Sequence, residues 1–482
     1  MIRPALLPLL ALVSSALSLP SSVQDGQLGS VDVAKRQARL GTATVSLSKP
    51  SGTPAHIASG FIYGIPDNGN DVSTQVPDHF YTDIKFNYCR AGGAQLPPPS
   101  RGWIWGIEEY KNRFSSTLSN YRTSRKFGAR FILLVHDLWG ADGLQANGAV
   151  FPGDNGDWSS YDAFLTQLLS DLKANDMLDG LDIDIWNEPD VGFFWTRGVA
   201  RWTEMWNRAF PRIRASLPGV LITGPSTANP PSTGNEWWTG FGAAISQTGN
   251  IPDVYSWHNL ARSVNVDPET SARDIVTWRN QYGLPQRPNN INEYGATDEQ
   301  SPSFAAWYIS RLERNNIHGL RANWASAYEL HDYLGNLLGK PGAGTTAYDP
   351  KGKAYYPAGE WHVYKYYGTD MAGTRVATTG SADKLFDVYA TRGSTANSVR
   401  ILVGARGASG VWDVKVTGLD AVGLPASGTV SVRTWRFDYN GKYGEVAGPV
   451  DLGVVAHQIT NNEVVFWVSP ATGSTAYAFE FV

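Results

Sequence analysis

Leu181-Asp-Ile-Asp-Ile-Trp-Asn-Glu-Pro-Asp190 reads as a short buried strand ending on an acid. Its first half alternates aliphatic and acidic side chains, the period of β-structure. Residues 182, 184, 186 and 188 then share one face, which sets Asp182 and Asp184 beneath Glu188 in whatever the strand helps enclose. Buried acids are costly without partners, and Lys85, Arg90 and Arg321, on other predicted strands, are the candidates. A second run, Asn290-Ile-Asn-Glu-Tyr-Gly295, ends in the same way on Glu293.

Working outward, eight such runs recur: Gly60–Gly64, Ile84–Arg90, Phe131–His136, Leu181–Asn187, Val220–Gly224, Val254–His258, Asn290–Glu293 and Gly319–Trp324. Between them lie stretches with apolar residues three and four apart, such as Tyr161-Asp-Ala-Phe-Leu-Thr-Gln-Leu-Leu-Ser-Asp-Leu172, the period of an amphipathic helix. Alternating strands and helices imply parallel βα units. Eight of them predict a (β/α)₈ barrel whose chemistry lies at the C-terminal rim of the strands. An open doubly wound sheet is the alternative, but the first strand lacks the glycine-rich dinucleotide loop that would favour it.

After Gly373 the pattern changes to β-rich runs separated by Gly, Asn and Pro turns: Ser398–Gly404, Val411–Val416, Thr429–Phe437, Glu463–Val468 and Ala476–Val482. That spacing predicts an antiparallel β-sandwich. Ala43-Thr-Val-Ser-Leu-Ser48 precedes the barrel and is expected to pair with the sandwich. The predicted organisation is a signal peptide over 1–18, a propeptide over 19–36, a strand of the sandwich over 37–58, the catalytic barrel over 59–372 and the sandwich over 373–482.

The signal peptide rests on Arg3, the apolar run Ala5–Val13 and small residues through Ser18, too short to span a membrane. Lys35-Arg36 looks like a dibasic processing site, after which the mature chain starts at Gln37, so a secreted protein is expected. Among the 482 residues Cys89 is the only cysteine, which rules out an intrachain disulfide. A net charge of −4 offers no basic excess for nucleic acid, and no later apolar run reaches the roughly 18 residues of a membrane span. Charged residues make up only 17% of the chain, against roughly 25% in an average soluble protein, while there are 18 Trp and 22 Tyr. Indole faces suit the C–H faces of sugars. Trp103, Trp105, Trp139, Trp158, Phe193-Phe-Trp195 and Trp237-Trp238 fall in predicted rim loops, and half of them are expected to line a glycan cleft.

Two glutamates on one rim suggest a reaction. Breaking a glycosidic bond needs one carboxyl held neutral to protonate the leaving oxygen and one ionised to attack or stabilise the sugar cation. Asn187 is placed to hold a sugar hydroxyl, since its amide both donates and accepts. His136 and His258, at two further strand ends, are expected to face the pocket and to bind hydroxyls or orient a glutamate. No His/Cys/Asp cluster with metal-ligand spacing is visible, so neither metal nor other cofactor is expected. A carbohydrate is the expected partner, and the chain is expected to be a monomer.

Ile183-Asp-Ile-Trp-Asn-Glu-Pro-Asp190 resembles the acid/base motif of clan A glycoside hydrolases, which are retaining (β/α)₈ enzymes, and looks most like glycoside hydrolase family 39, with its β-xylosidases and α-L-iduronidases. In that clan a Glu ending the fourth strand is the acid/base and a Glu ending the seventh is the nucleophile. The resemblance therefore implies these roles for Glu188 and Glu293, which close the fourth and seventh runs. It also implies that Arg90 keeps the nucleophile ionised and that Trp324 floors the sugar site. The chain departs from family 39 at Ser256-Trp-His-Asn-Leu260, where Ser-x-His-x-Tyr is frequent, and at Asp184, where Glu is usual. Leu260 cannot hydrogen-bond a carboxylate, and Tyr294 is one candidate to compensate. The implied activity is a retaining O-glycosyl hydrolase, best matched to a β-xylosidase-like exo-enzyme, with an endo-glycanase or arabinosidase-like enzyme as alternatives. A non-catalytic carbohydrate-binding protein is the alternative of another class.

Overall fold

The structure is a computed structural model that describes residues 38–261 and 266–482. The expected signal peptide, propeptide and Lys35-Arg36 site lie outside the described residues.

Eight parallel strands close into a barrel: β2 (Gly60–Ile62), β3 (Tyr88–Ala91), β4 (Arg130–Leu134), β5 (Leu181–Asp184), β6 (Leu221–Thr227), β7 (Val254–Asn259), β8 (Asn289–Tyr294) and β9 (His318–Arg321), with β9 returning to β2. Each falls within or beside one of the eight predicted runs. Strands buried on both faces need apolar residues throughout rather than alternation, and Phe131-Ile-Leu-Leu134 of β4 is wholly buried. The surrounding helices show their sequence signals directly. In helix Ser159–Ala174, Tyr161, Phe164, Leu165, Leu168, Leu169 and Leu172 form the buried stripe. The side chain of Asn235 accepts from the N–H groups of Trp237 and Trp238 and starts helix Glu236–Thr248, which Gly249 ends at φ 75°.

The second domain is a ring of nine hydrogen-bonded strands. It comprises β1 (Arg39–Gly52), β12 (Thr374–Thr379), β13 (Phe386–Arg392), β14 (Arg400–Ala405), β15 (Val411–Thr417), β16 (Gly428–Phe437), β17 (Val450–Thr460), β18 (Glu463–Val468) and β19 (Ala476–Phe481). The short pair β10 (Leu338–Gly339) and β11 (Tyr356–Pro357) stands apart. Pairing is antiparallel except between β1 and β15. β1 also pairs with β12, so a strand from before the barrel closes the domain that follows it. Val45, Val388, Ile401, Trp412, Val414 and Phe481 fill its core.

The two domains meet along barrel helix Pro302–Asn315. Gly404 of β14 passes so close that a Cβ there would lie 2.0 Å from the Ser303 carbonyl, and the Ser303 hydroxyl donates to the Ala405 carbonyl at 2.6 Å. Fully buried Asp387 of β13 takes both Arg311 (2.7 Å) and Arg314 from that helix, and Arg375 of β12 reaches Glu313 at 2.5 Å. Truncating one partner of such a buried pair strands the other charge, at a cost of about 3–5 kcal/mol. Among the described residues, no helix is long and apolar enough to cross a membrane.

Candidate active site

At the C-terminal rim of the barrel a pocket of about 370 Å³ is lined by Tyr63, His136, Asn187, Glu188, Glu293 and Trp324, with apolar walls from Ile62, Leu134, Leu260 and Leu330. Binding sites of this kind sit at the C-terminal face of such barrels.

Glu188 lies four residues beyond β5, in a turn rather than on the strand. Its N–H donates to the Ser226 carbonyl of β6 at 2.9 Å and its carbonyl accepts from Val191 N–H at 2.9 Å. Its φ is 40°, a left-handed conformation that a non-glycine residue adopts only where the surroundings enforce it. Asp190 supplies that enforcement: its carboxylate accepts from the backbone N–H groups of Ala228 (2.8 Å) and Asn229 (3.0 Å), tying this turn to the loop after β6. Trp186 is buried beneath, its indole donating to the Phe194 carbonyl at 3.2 Å. The Trp-Asn-Glu-Pro-Asp string is thus a folded corner in which Trp186, Glu188 and Asp190 each hold part of the rim.

Glu293 reaches the same pocket by a different device. Between β7 and β8, Trp257 faces Ile291 and His258 faces Glu293; between β8 and β9, Gly319 faces Ile291 and Arg321 faces Tyr294. Both ladders therefore accommodate one extra residue on β8. A bulge of this kind re-aims side chains. Here it lets Asn292, which donates to Asp184 at 3.1 Å, and Glu293 both turn inward. Tyr294 then turns outward. This corrects the expectation that Tyr294 joins the site to compensate for Leu260: its hydroxyl donates to the Ala58 carbonyl (3.0 Å) and pairs with Tyr364 (2.5 Å), away from the pocket.

Arg90 and His258 lie fully buried under the two acids. The guanidinium of Arg90 donates to Asp184 at 2.9 Å, to Glu293 Oε1 at 2.6 Å and to Asn187 Oδ1 at 2.6 Å. Asp184 in turn accepts from the Ser226 hydroxyl at 2.7 Å. Asp184 thus fixes the arginine, and the arginine fixes both a carboxylate and an amide. With its oxygen taken, Asn187 presents its N–H₂ as a donor. Of the candidates for the barrel acids, Arg90 alone serves. Asp182 pairs with Arg130 and, at 3.0 Å, with the Tyr88 hydroxyl; Arg321 pairs with Glu360 at 2.5 Å, and Lys85 is exposed.

His258 Nδ1 stands 2.7 Å from Glu188 Oε1, and its Nε2 is 3.8 Å from Glu293 Oε1 without a hydrogen bond. Burial pushes the imidazole down to about 4, so it is neutral near pH 7. A bare ring nitrogen tolerates an unpaired buried position better than an N–H does, which assigns the proton to Nδ1 and makes His258 a donor to Glu188. His258 orients a carboxylate and lies outside the pocket lining.

One oxygen each from Glu188 and Glu293 and one nitrogen of His258 all lie within 4.8 Å of one another. Such a trio is also a possible cation cradle, but the Arg90 guanidinium already supplies positive charge at the same oxygen of Glu293. Burial raises the Glu188 carboxyl from 4.5 to about 7, and the charge of Asp190 adds to this. Burial raises Glu293 too, against the pull of the Arg90 guanidinium. Only Glu293 carries the direct guanidinium contact, so it ionises first of the pair. One carboxyl held neutral and one ionised is the division of labour seen where two carboxyls work as acid and nucleophile.

His136 lines the pocket from a short helix, Val135–Trp139, after β4, its Nε2 3.0 Å from Asp137. Asp137 also takes the Tyr63 hydroxyl, and both residues line the pocket. They escaped the sequence reading because nothing in a lone Tyr or in Asp137 marks it as rim-facing. Trp324 walls the pocket with its indole N–H on the Gly295 carbonyl at 2.9 Å. The expectation that half of the rim-loop aromatics line a cleft is corrected: of those named, only Phe193 and Phe194 line the pocket, whereas Trp139, Trp195 and Trp238 are core. Apolar burial outweighs exposure for an indole wherever neighbouring helices leave room for it.

No family profile matches the sequence, and no curated protein is similar to it. Solved structures share the fold. A Neocallimastix frontalis protein aligns over 92% of this chain and 99% of its own, with a TM-score of 0.68 and 21% identity. A glucosidase from Croceicoccus marinus aligns over the same shares at 0.59 and 15%. The GH39 enzyme from Xanthomonas axonopodis pv. citri covers 95% and 99% at 0.55 and 13%. The chain thus shares the fold of these structures, here a (β/α)₈ barrel with a β domain.

Proposed function

We propose that the protein is a secreted, retaining O-glycosyl hydrolase acting on carbohydrate. The observation that carries the reading is the separation of the two carboxyl oxygens, within 4.8 Å. Retaining enzymes hold their carboxyls about 5–5.5 Å apart, whereas inverting ones leave about 6.5–9.5 Å for a water. In the first step Glu188 gives its proton to the glycosidic oxygen while a Glu293 oxygen bonds to the anomeric carbon and the aglycone departs. In the second, Glu188 takes a proton from water, the resulting hydroxide bonds to the same carbon, and Glu293 is released. Two inversions give net retention.

Glycosidases among the solved structures of the same fold support the reaction class by analogy. A β-xylosidase-like exo action fits the walls best. The Gln95 side chain accepts from Ala327 N–H at 3.0 Å, bridging two rim loops, and Gln145 donates to the Phe193 carbonyl at 2.8 Å on the acid/base side. The pocket, which Gln95 lines, lies near the small end of the ligand-site range, roughly 300–1,000 Å³. A pentose suits walls of Ile62, Leu134, Leu260 and Leu330, because it brings no hydroxymethyl arm to be buried unpaired. The test is a panel of aryl glycosides alongside intact xylan, arabinan and β-glucan, with the anomeric configuration of the first product followed by NMR. Retained xylose from an aryl xyloside is expected. First-formed product of inverted configuration overturns the mechanism, and internal cleavage of polymer selects the endo alternative.

A further inference from the structure

Trp324 sits three residues beyond β9 in a stretch, residues 322–326, without regular structure, yet it walls the pocket. Two contacts hold it. Its indole N–H donates to Gly295 O, two residues past Glu293 (2.9 Å), and its own carbonyl accepts from the ammonium of Lys442 at 3.0 Å. Lys442 belongs to the other domain, in the connection between β16 and β17 (residues 438–449). That connection is itself anchored on the barrel. Val446 N–H donates to the Pro357 carbonyl (3.0 Å) and its carbonyl contacts His362 Nε2 (2.6 Å). Asp438 passes so close to Gly359 that a Cβ there would meet its carbonyl at 2.1 Å, and Tyr443 packs edge-on against Tyr333 at 5.6 Å. The ammonium also lies 5.1 Å from the Tyr443 ring.

We infer that Lys442 is a positioning residue for the sugar pocket, through which the second domain sets the place of the Trp324 indole. The physical case is that a carbonyl on an irregular loop has no strand or helix to hold it, and a charge-assisted bond from an anchored lysine is stronger than a neutral one. With the carbonyl released, the indole keeps only its bond to Gly295 and the wall loses one of its two fixings. Glu188, Glu293, Arg90 and His258 are untouched, so the loss falls on sugar binding and spares the bond-making groups. The inference rests on the glycosidase reading, since it assigns Trp324 to sugar contact.

The test uses the full chain and three forms: wild type, Lys442→Met and Lys442→Arg. On an aryl glycoside turned over by the wild type, Lys442→Met is expected to raise KM about five- to tenfold with kcat held within about twofold, and Lys442→Arg to restore most of the loss. An unchanged KM in Lys442→Met overturns the inference. So does a fall in kcat and Tm together that arginine does not rescue, because that is the signature of a merely structural lysine. Should Lys442→Met fail to fold, Lys442→Leu, which keeps an apolar side chain and cannot donate to the carbonyl, takes its place with the same criteria. Wild type that neither hydrolyses nor binds any glycoside by calorimetry overturns the glycosidase reading and this inference with it. The earlier outcomes leave that reading standing.

Discussion

His258 and Glu188 meet at 2.7 Å, Nδ1 to Oε1, behind the pocket lining, and the imidazole is neutral because burial holds it at about 4. The contact leaves the second oxygen of Glu188 for the proton that catalysis needs. It also tunes that proton, since a donor to the ionised form lowers a carboxyl pKa. Replacing His258 by Ala removes the donor, so Glu188 ionises at higher pH than in the wild type. The alkaline limb of kcat/KM, expected near pH 7 from Glu188, is predicted to move upward while kcat falls by about tenfold. A pH–rate profile decides this, and a limb that stays in place counts against the tautomer assigned to His258.

Glu293→Ala is predicted to lose turnover by on the order of 10³-fold or more. Azide, small enough to take the place of the missing carboxylate, is expected to restore activity and give a glycosyl azide of inverted configuration. Glu188→Ala behaves differently. It loses about 10²–10⁴-fold on substrates with poor leaving groups and little on those that depart unaided, and azide then yields a product of retained configuration. NMR of the two azides separates the roles.

Glu188 also makes a prediction about stability. Its folded pKa is raised above 4.5 to about 7, so folding favours its protonated form. The penalty for ionising it is absent below the unfolded value, grows as pH rises between the two and is complete above the folded one. Its size is on the order of 3 kcal/mol. Glu188→Gln, which mimics the protonated acid, is predicted to raise Tm at about pH 8 and to leave it nearly unchanged at about pH 4. Equal shifts at both values sink the argument.

Arg90 links Asp184, Asn187 and Glu293. Arg90→Met leaves Asp184 buried without its cation and is predicted to destabilise the fold by about 3–5 kcal/mol, read by denaturant unfolding. It also removes the charge that makes Glu293 ionise first, so the acid limb of kcat/KM should rise in whatever folded protein remains.

The barrel was legible in the chain because parallel strands buried on both faces must be apolar along their length, as in Phe131-Ile-Leu-Leu134, and because helix stripes such as Tyr161–Leu172 repeat at a different period. Glu188 and Glu293 were legible as acids ending two of the predicted runs, although Glu188 stands in the turn after its strand. Sequence alone also marked Arg90 and His258 as polar groups ending strands of the same rim.

Tertiary structure decided what each of them faces. Tyr294 follows Glu293 directly, and only the bulge on β8, set by pairing with β7 and β9, determines that Asn292 and Glu293 turn inward and Tyr294 outward. The rim tryptophans look alike in sequence, yet Trp139 and Trp238 are core while Trp324 walls the pocket, because neighbouring helices cover the first two. Asp137, Tyr63 and Lys442 come to the site from elements distant in the chain, and no local pattern announces them. Local sequence determines the period and burial of an element. Which side chain meets which depends on register and packing between elements, and those exist only in the folded molecule.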